Sequence, residues 1–391
     1  MLNLKKWFMR WGIPVVLLAV FVIFTVYINQ VDKVALVNRE GQTFEKGVVT
    51  EILQDNLQPN GTRVGEQRVL VRLTTGVRAG QELETTSASG YLFGAGCTVG
   101  MRVIVLQSVA GDSTITSIYS QDREWVIYAF AAAYLVVLCL VGGKQGIKGA
   151  LGLVFTFFCI IFVYLPLVYR GLSPFWVSVF ICVITTLVTM YLIGGPTRKT
   201  LVATGGTVAG VVIAGISATI FSMATGITGW NVSDIESLLT LASTSGVQVG
   251  GLLFSGLLIS SLGAVMDVAM SIGSAIAEIH AQNPALSRGE LFKAGMHVGR
   301  DMMGTDSNTL ILAFAGGSIS MLVLDYAYSL PYQQIINSNN IGIAIMQGLS
   351  GSFGIVLAVP VTVALAVALY TWKRPNRAET APAEDASRQT R

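Results

Sequence analysis

The chain has 391 residues, of which 52% are hydrophobic and 12% charged, and a net charge of +3. A soluble protein usually carries about 25% charged residues, so these proportions exclude a disordered chain and argue against one ordinary soluble domain. The small net charge gives no reason to expect nucleic acid as a partner.

The charges are spread unevenly. Residues 31–124 hold 9 Lys/Arg and 11 Asp/Glu, whereas the much longer stretch 125–372 holds 8 of each. The expected organisation is an N-terminal cytoplasmic end and membrane anchor at 1–30, a compact soluble domain at 31–124 and a membrane domain at 125–372. A disordered cytoplasmic tail at 373–391 completes it.

A helix needs roughly 20 mainly apolar residues to cross the bilayer core. Taken in chain order, eight stretches meet or approach that length: 13–28, 125–140, 149–169, 175–193, 201–224, 247–265, 308–324 and 345–372. Lipid leaves no partner for bare backbone groups, and no run alternates like a barrel strand, so these are read as helices. The first stretch follows Lys5, Lys6 and Arg10 and has no small-x-small cleavage pattern at its exit, which favours an uncleaved anchor over a signal peptide. With eight spans the basic sites Lys144, Lys148, Arg198, Lys199, Arg288, Lys293, Arg300, Lys373 and Arg374 all fall on the side of the N-terminus. By the positive-inside rule that side is the cytoplasm, and both termini lie there.

Between the first two spans, residues 47–53, 67–74, 80–86, 101–109 and 113–119 are short, β-branched and partly alternating, with Gly, Asn and Pro between them. Five strands in so short a segment predict a small extracytoplasmic barrel or sandwich, OB-like in size. Two roles stand open for it: binding a ligand or partner outside the membrane, or a lid without chemistry. Cys97 is alone in this segment, while Cys139, Cys159 and Cys182 lie in apolar runs. No disulfide is therefore expected within the soluble domain. His280 and His297 have no cysteine nearby, which argues against a closed zinc site.

The segment 247–282 carries the strongest functional signal. Ser260, Asp267, Ser271, Ser274, Glu278 and Gln282 are spaced 7, 4, 3, 4 and 4 apart, one face of a helix. A charge in hydrocarbon costs about 2.5–3.5 kcal/mol on insertion scales, so Asp267 is expected to face protein, water or a headgroup. Two placements follow. The lane lines a solute or ion path, or the span ends near Val265 and the rest is an amphipathic surface helix.

The segment 295–312 then sets Arg300, Asp301, Asp306, Asn308 and Thr309 against the start of the seventh span. Asp306 is placed in its first turn, where a carboxylate caps free N–H groups. Asn308 and Thr309 run into the span, as polar groups do at the broken helices of transporters. Thr200, Thr204 and Thr207 form a stripe better explained by packing, and patterns such as Gly206-xxx-Gly210 allow close helix contact.

No P-loop, HExxH helix, GxSxG turn or arginine ladder occurs, so an ATPase engine, metalloprotease, hydrolase or voltage sensor finds no support. The reading is non-enzymatic and calls for no cofactor.

The run Gly263-Ala-Val-Met-Asp267-Val-Ala-Met-Ser271-Ile, with Gly299-Arg-Asp-Met-Met-Gly-Thr305 and Ser307-Asn-Thr-Leu-Ile-Leu-Ala313, resembles the YibE/F-like family of bacterial multi-span membrane proteins. The resemblance covers 125–372, and the outer domain is similar to that of the longer, YibE-like members. It implies a polytopic protein of the bacterial cytoplasmic membrane, often viewed as a transporter, and a second copy or a shorter YibE/F-like chain as partner. Asp267, Arg300, Asp301, Asn308 and Thr309 match the family pattern. Asp306 stands where an apolar residue is expected and is not carried over.

The leading expectation is a permease for a small solute or ion. Its pathway would be lined by Asp267, Ser271, Ser274, Arg300, Asp301, Asn308 and Thr309, with Ser260, Glu278 and Asp306 as further candidates. Asp267 is paired with Arg300 on this expectation, because an unpaired buried charge is costly. The alternative is a membrane scaffold whose outer domain holds an envelope partner.

Overall fold

The computed structural model describes residues 13–31, 41–88, 94–110, 113–232 and 234–371. The basic residues Lys5, Lys6 and Arg10 and the tail 373–391 lie outside them. The chain divides into two units, one of residues 35–141 and one of residues 1–34 with 142–391.

The first unit contains five strands: β1 (Gln42–Gln54), β2 (Gln67–Leu73), β3 (Glu82–Ser87), β4 (Arg102–Ala110) and β5 (Ser113–Gln121). They close into a barrel in the order β1-β2-β3-β5-β4, with β1 pairing back to β4. The choice between barrel and sandwich is thereby decided, and a five-stranded closed barrel suits the OB-like expectation.

Alternation drives it. In β2, Gln67, Val69, Val71 and Leu73 point inward and are buried. They meet Val49, Val103, Val105 and Ile118 in one apolar core. β1 serves two neighbours: its first half pairs with β4 and its second with β2, with register shifts at Val49/Glu51 and Ile52/Gln54 that bend the strand. The seam is β3 against β5, where a single parallel pair, Thr86 with Ser117, joins them.

Side chains supply what this seam lacks. The Ser87 hydroxyl donates to the Ala95 carbonyl at 2.6 Å and accepts the Ala95 N–H at 2.8 Å. The Gln67 amide donates to the Cys97 carbonyl at 3.1 Å and accepts the Cys97 N–H at 2.8 Å.

The second unit is helical. α1 is Ile13–Asn29; α2 is Glu124–Cys159, which begins in the first unit and is interrupted at Gly143 (φ 53°, ψ −132°). A π-helix, Ile160–Tyr164, leads into α3 (Leu165–Tyr169), followed by α4 (Pro174–Gly194), α5 (Arg198–Thr225) and α6 (Ile235–Ser245). Then come α7 (Leu252–Gln282), α8 (Arg288–Gly317), α9 (Ile319–Ala327), α10 (Tyr332–Ile336) and α11 (Asn339–Thr371).

Eight separate spans are not reproduced. Five helical stretches among the described residues are long and apolar enough to cross a membrane, or six if the α8–α9 pair, bent by 55°, counts as one. The expected second and third spans fall within the one stretch Glu124–Tyr169, on either side of the break at Gly143, and the first is a shorter helix.

The core is built by α5, α7, α8 and α11. Val265, Val268, Ile272 and Ile276 of α7 pack with Leu291 and Leu310 of α8, and with Ile355, Val359 and Val363 of α11. Glycine lets the backbones meet: a Cβ built on Gly354 would lie 2.7 Å from the Gly210 carbonyl oxygen.

α1 is tied to the bundle by hydrogen bonds. Pro166 has no N–H, so the Phe162 carbonyl one turn earlier lacks its helical donor. The Asn29 amide donates to that carbonyl at 2.7 Å. Arg170 in turn donates to the Tyr27 and Gln30 carbonyls at the end of α1, at 2.8 and 3.0 Å, with its guanidinium over the Tyr27 ring.

Candidate functional site

α7 and α8 form an antiparallel pair. Gly295 and Gly299 of α8 face Ile276 and Ile272 of α7 respectively. Both helices are continuous through their candidate residues. α7 runs from Leu252 to Gln282 without a break, so no separate helix begins after Val265.

α8 begins 18 residues before Asp306. Ser287 accepts the Glu290 N–H, and the Glu290 carboxylate accepts the Ser287 N–H at 2.8 Å, a reciprocal capping box. Asp306 is therefore a mid-helix residue, and the capping role expected of it is wrong. The N–H groups that need capping at this helix start belong to residues 287–290, since the Leu291 N–H already donates to the Ser287 carbonyl.

The polar lane of α7 does lie on one face, but that face points away from the bundle core. Ser260, Asp267, Glu278 and Gln282 are exposed and Ser271 and Ser274 half-buried, while Val265, Val268, Ala269, Ile272 and Ile276 are buried. Several members bond locally. Ser260 donates to the Leu257 carbonyl, Ser274 to the Met270 carbonyl and Gln282 to the Glu278 carboxylate.

On α8, Arg300, Asp301, Asn308 and Thr309 are exposed and Asp306 is half-buried. Thr309 donates to the Thr305 carbonyl at 2.9 Å. Asp267 and Asp306 lie close enough for their charges to interact. Among the described residues, no ion pair within 4.0 Å includes Asp267, Arg300, Asp301 or Asp306. The expected Asp267–Arg300 pair is thus not formed, and the charge that acts on Asp267 is that of another carboxylate, Asp306.

Sequence reasoning missed a set of interior hydroxyls. Tyr164 of the π-helix and Ser255 of α7 share a buried hydrogen bond. The hydroxyls of Thr186, Thr189 and Thr204 are buried without a partner among the described residues. The π-helix has no simple sequence signature, although such bulges recur at functional sites. Within the threonine stripe, Thr200 and Thr207 bond the Gly195 and Ala203 carbonyls, as the packing reading requires. No group of three or more His, Cys, Asp or Glu among the described residues is placed to hold a metal.

The chain thus combines several helices long and apolar enough to cross a membrane with a small closed β-barrel, a mostly helical class of protein compatible with a membrane location. Residues 130–372 match the YibE/F-like protein family. That is more than half of the chain, and the chain belongs to the YibE/F-like family. All the α7 and α8 candidates fall inside the matched region; the barrel falls outside it. No curated protein and no solved structure matches the chain.

Proposed function

We propose that the protein is a non-enzymatic permease of the bacterial cytoplasmic membrane that moves a small solute or ion. The observation that carries this reading is the mutual influence of two carboxylates, Asp267 on the apolar helix α7 and Asp306 on α8, which packs against it. Charges at such positions are costly in lipid unless water or a polar partner meets them, and for that reason they mark solute and ion paths. Two carboxylates within electrostatic reach form an element that exchanges one cation or proton for their mutual repulsion, as gradient-driven transport requires. Exposed Arg300, Asp301, Asn308 and Thr309 extend the polar surface along α8.

On this reading the chain crosses the membrane eight times. Both termini and the α7–α8 turn are cytoplasmic, and the barrel is outside. The distribution of basic residues supports that orientation. Cysteines introduced at Asn60 and Asn231 should react with an impermeant thiol reagent in intact cells, and one at Pro284 should not. Reaction at Pro284 would refute the topology.

The test of transport is uptake into proteoliposomes, screened over metal ions, organic anions and peptides. Once a solute is found, Asp267→Asn should lower uptake at least tenfold while leaving membrane expression unchanged. Undiminished uptake would remove Asp267 from the pathway. A chain that transports nothing, yet holds an envelope partner through its barrel, would be a scaffold.

A further inference from the structure

We infer that the outward stripe of α8 is a two-fold interface with a second copy of this chain. The inference rests on the membrane reading proposed above and does not depend on transport. His297, Asp301, Gly304, Asn308, Leu312 and Ala315 are all exposed and are spaced 4, 3, 4, 4 and 3 apart. That spacing is the seam of two helices packed side by side. It lies opposite Gly295, Gly299 and Leu310, through which α8 packs on its own bundle.

Lipid is a poor neighbour for this stripe. Asn308 makes no side-chain hydrogen bond among the described residues, although its neighbour Thr309 does. Arg300 and Asp301 are in no ion pair among the described residues. Within one helix they cannot pair readily, because consecutive side chains point about 100° apart.

The chemistry identifies the occupant. All copies of a chain with one membrane orientation are related by an axis along the membrane normal, so equivalent residues meet at equal depth. A carboxamide both donates and accepts, so Asn308 is complementary to Asn308 of the partner copy. Arg300 and Asp301 differ by one residue, about 1.5 Å in height, so Arg300 of each copy reaches Asp301 of the other. Gly304 sits between these two contacts, and a Cβ built on it would meet nothing within 4 Å. It gives the second helix room to approach closely. An unrelated partner would need none of this self-complementarity.

Disulfide trapping in native membranes tests the interface in the full-length chain. Gly304→Cys should yield a covalent dimer of twice the chain mass after mild oxidation, in about half or more of the chains, and Ile216→Cys on α5 should yield none. Arg300→Asp in the Gly304→Cys background should lower the trapped fraction at least fivefold, and the exchange Arg300→Asp with Asp301→Arg should restore it. Two differently tagged copies without substitutions should co-purify, which covers the case in which a variant fails to fold. No trapping at Gly304, equal trapping at Ile216, or an adduct with a shorter chain would each overturn the proposal. Alkaline extraction of the chain from membranes would instead sink the membrane reading on which it rests.

Discussion

Gly354→Leu should collapse the bundle. A Cβ at this position would lie 2.7 Å from the Gly210 carbonyl oxygen and 2.9 Å from the Ala214 Cβ. The first neighbour is helix backbone, so no side-chain rotation relieves the contact; α5 and α11 must separate. Separation strips contacts from Val265 and Ala358, which line the same crossing and are fully buried. Overpacking usually costs about 1–3 kcal/mol, and a backbone clash belongs at or above the upper end. That corresponds to a fall in melting temperature on the order of 5–10 °C. The comparison is Gly256→Leu on α7, where a Cβ would meet nothing within 4 Å. Thermal unfolding in detergent should show a large drop for the first and a change within about 2 °C for the second. Equal shifts would mean that the α5–α11 contact does not govern stability.

Gln67→Leu should have the largest effect in the barrel. Gln67 is fully buried, and its amide satisfies both the N–H and the carbonyl of Cys97. It also donates to Asp55 at 3.2 Å. Leucine has similar volume, so the loss is polar: two backbone groups of a buried loop are left without partners. Each orphan costs about 1–3 kcal/mol, which gives roughly 2–6 kcal/mol in all. The loop is also the cover of the weak β3–β5 seam, so its release opens the sheet where one residue pair closes it. Residues 31–122 expressed alone should be soluble and β-rich, and their melting by circular dichroism measures the effect. Arg68→Gln, which breaks an exposed ion pair with Glu84, should cost less than about 1 kcal/mol in the same fragment. A Gln67→Leu fragment as stable as the parent would show that water replaces the clamp.

The roles of these two residues differ in how far they can be read from sequence. Gly354 lies in a glycine-rich apolar run, and close helix packing is a fair expectation for such a run. Gln67 gives no such signal. It occupies an inward position of an alternating strand, where a polar residue looks like an error until the loop it bonds is seen above it.

Local physics sufficed for the elements. Alternation in 67–73 specified a strand, apolar length specified the long helices, and the 7, 4, 3, 4, 4 spacing from Ser260 to Gln282 specified one face of α7. The Ser287 and Glu290 spacing of a capping box marks a helix start, but the low hydropathy after it put the start of the seventh span near residue 308 and misplaced Asp306 in a first turn. Periodicity gives the angle of a side chain around its own helix and nothing about the neighbour at that angle. Only the tertiary structure decided that the polar lane turns outward and that Asp267 feels the charge of Asp306 and forms no ion pair with Arg300. It alone decided, too, that Asn29 supplies the hydrogen bond lost at Pro166, because each of these depends on contacts between residues far apart in the chain.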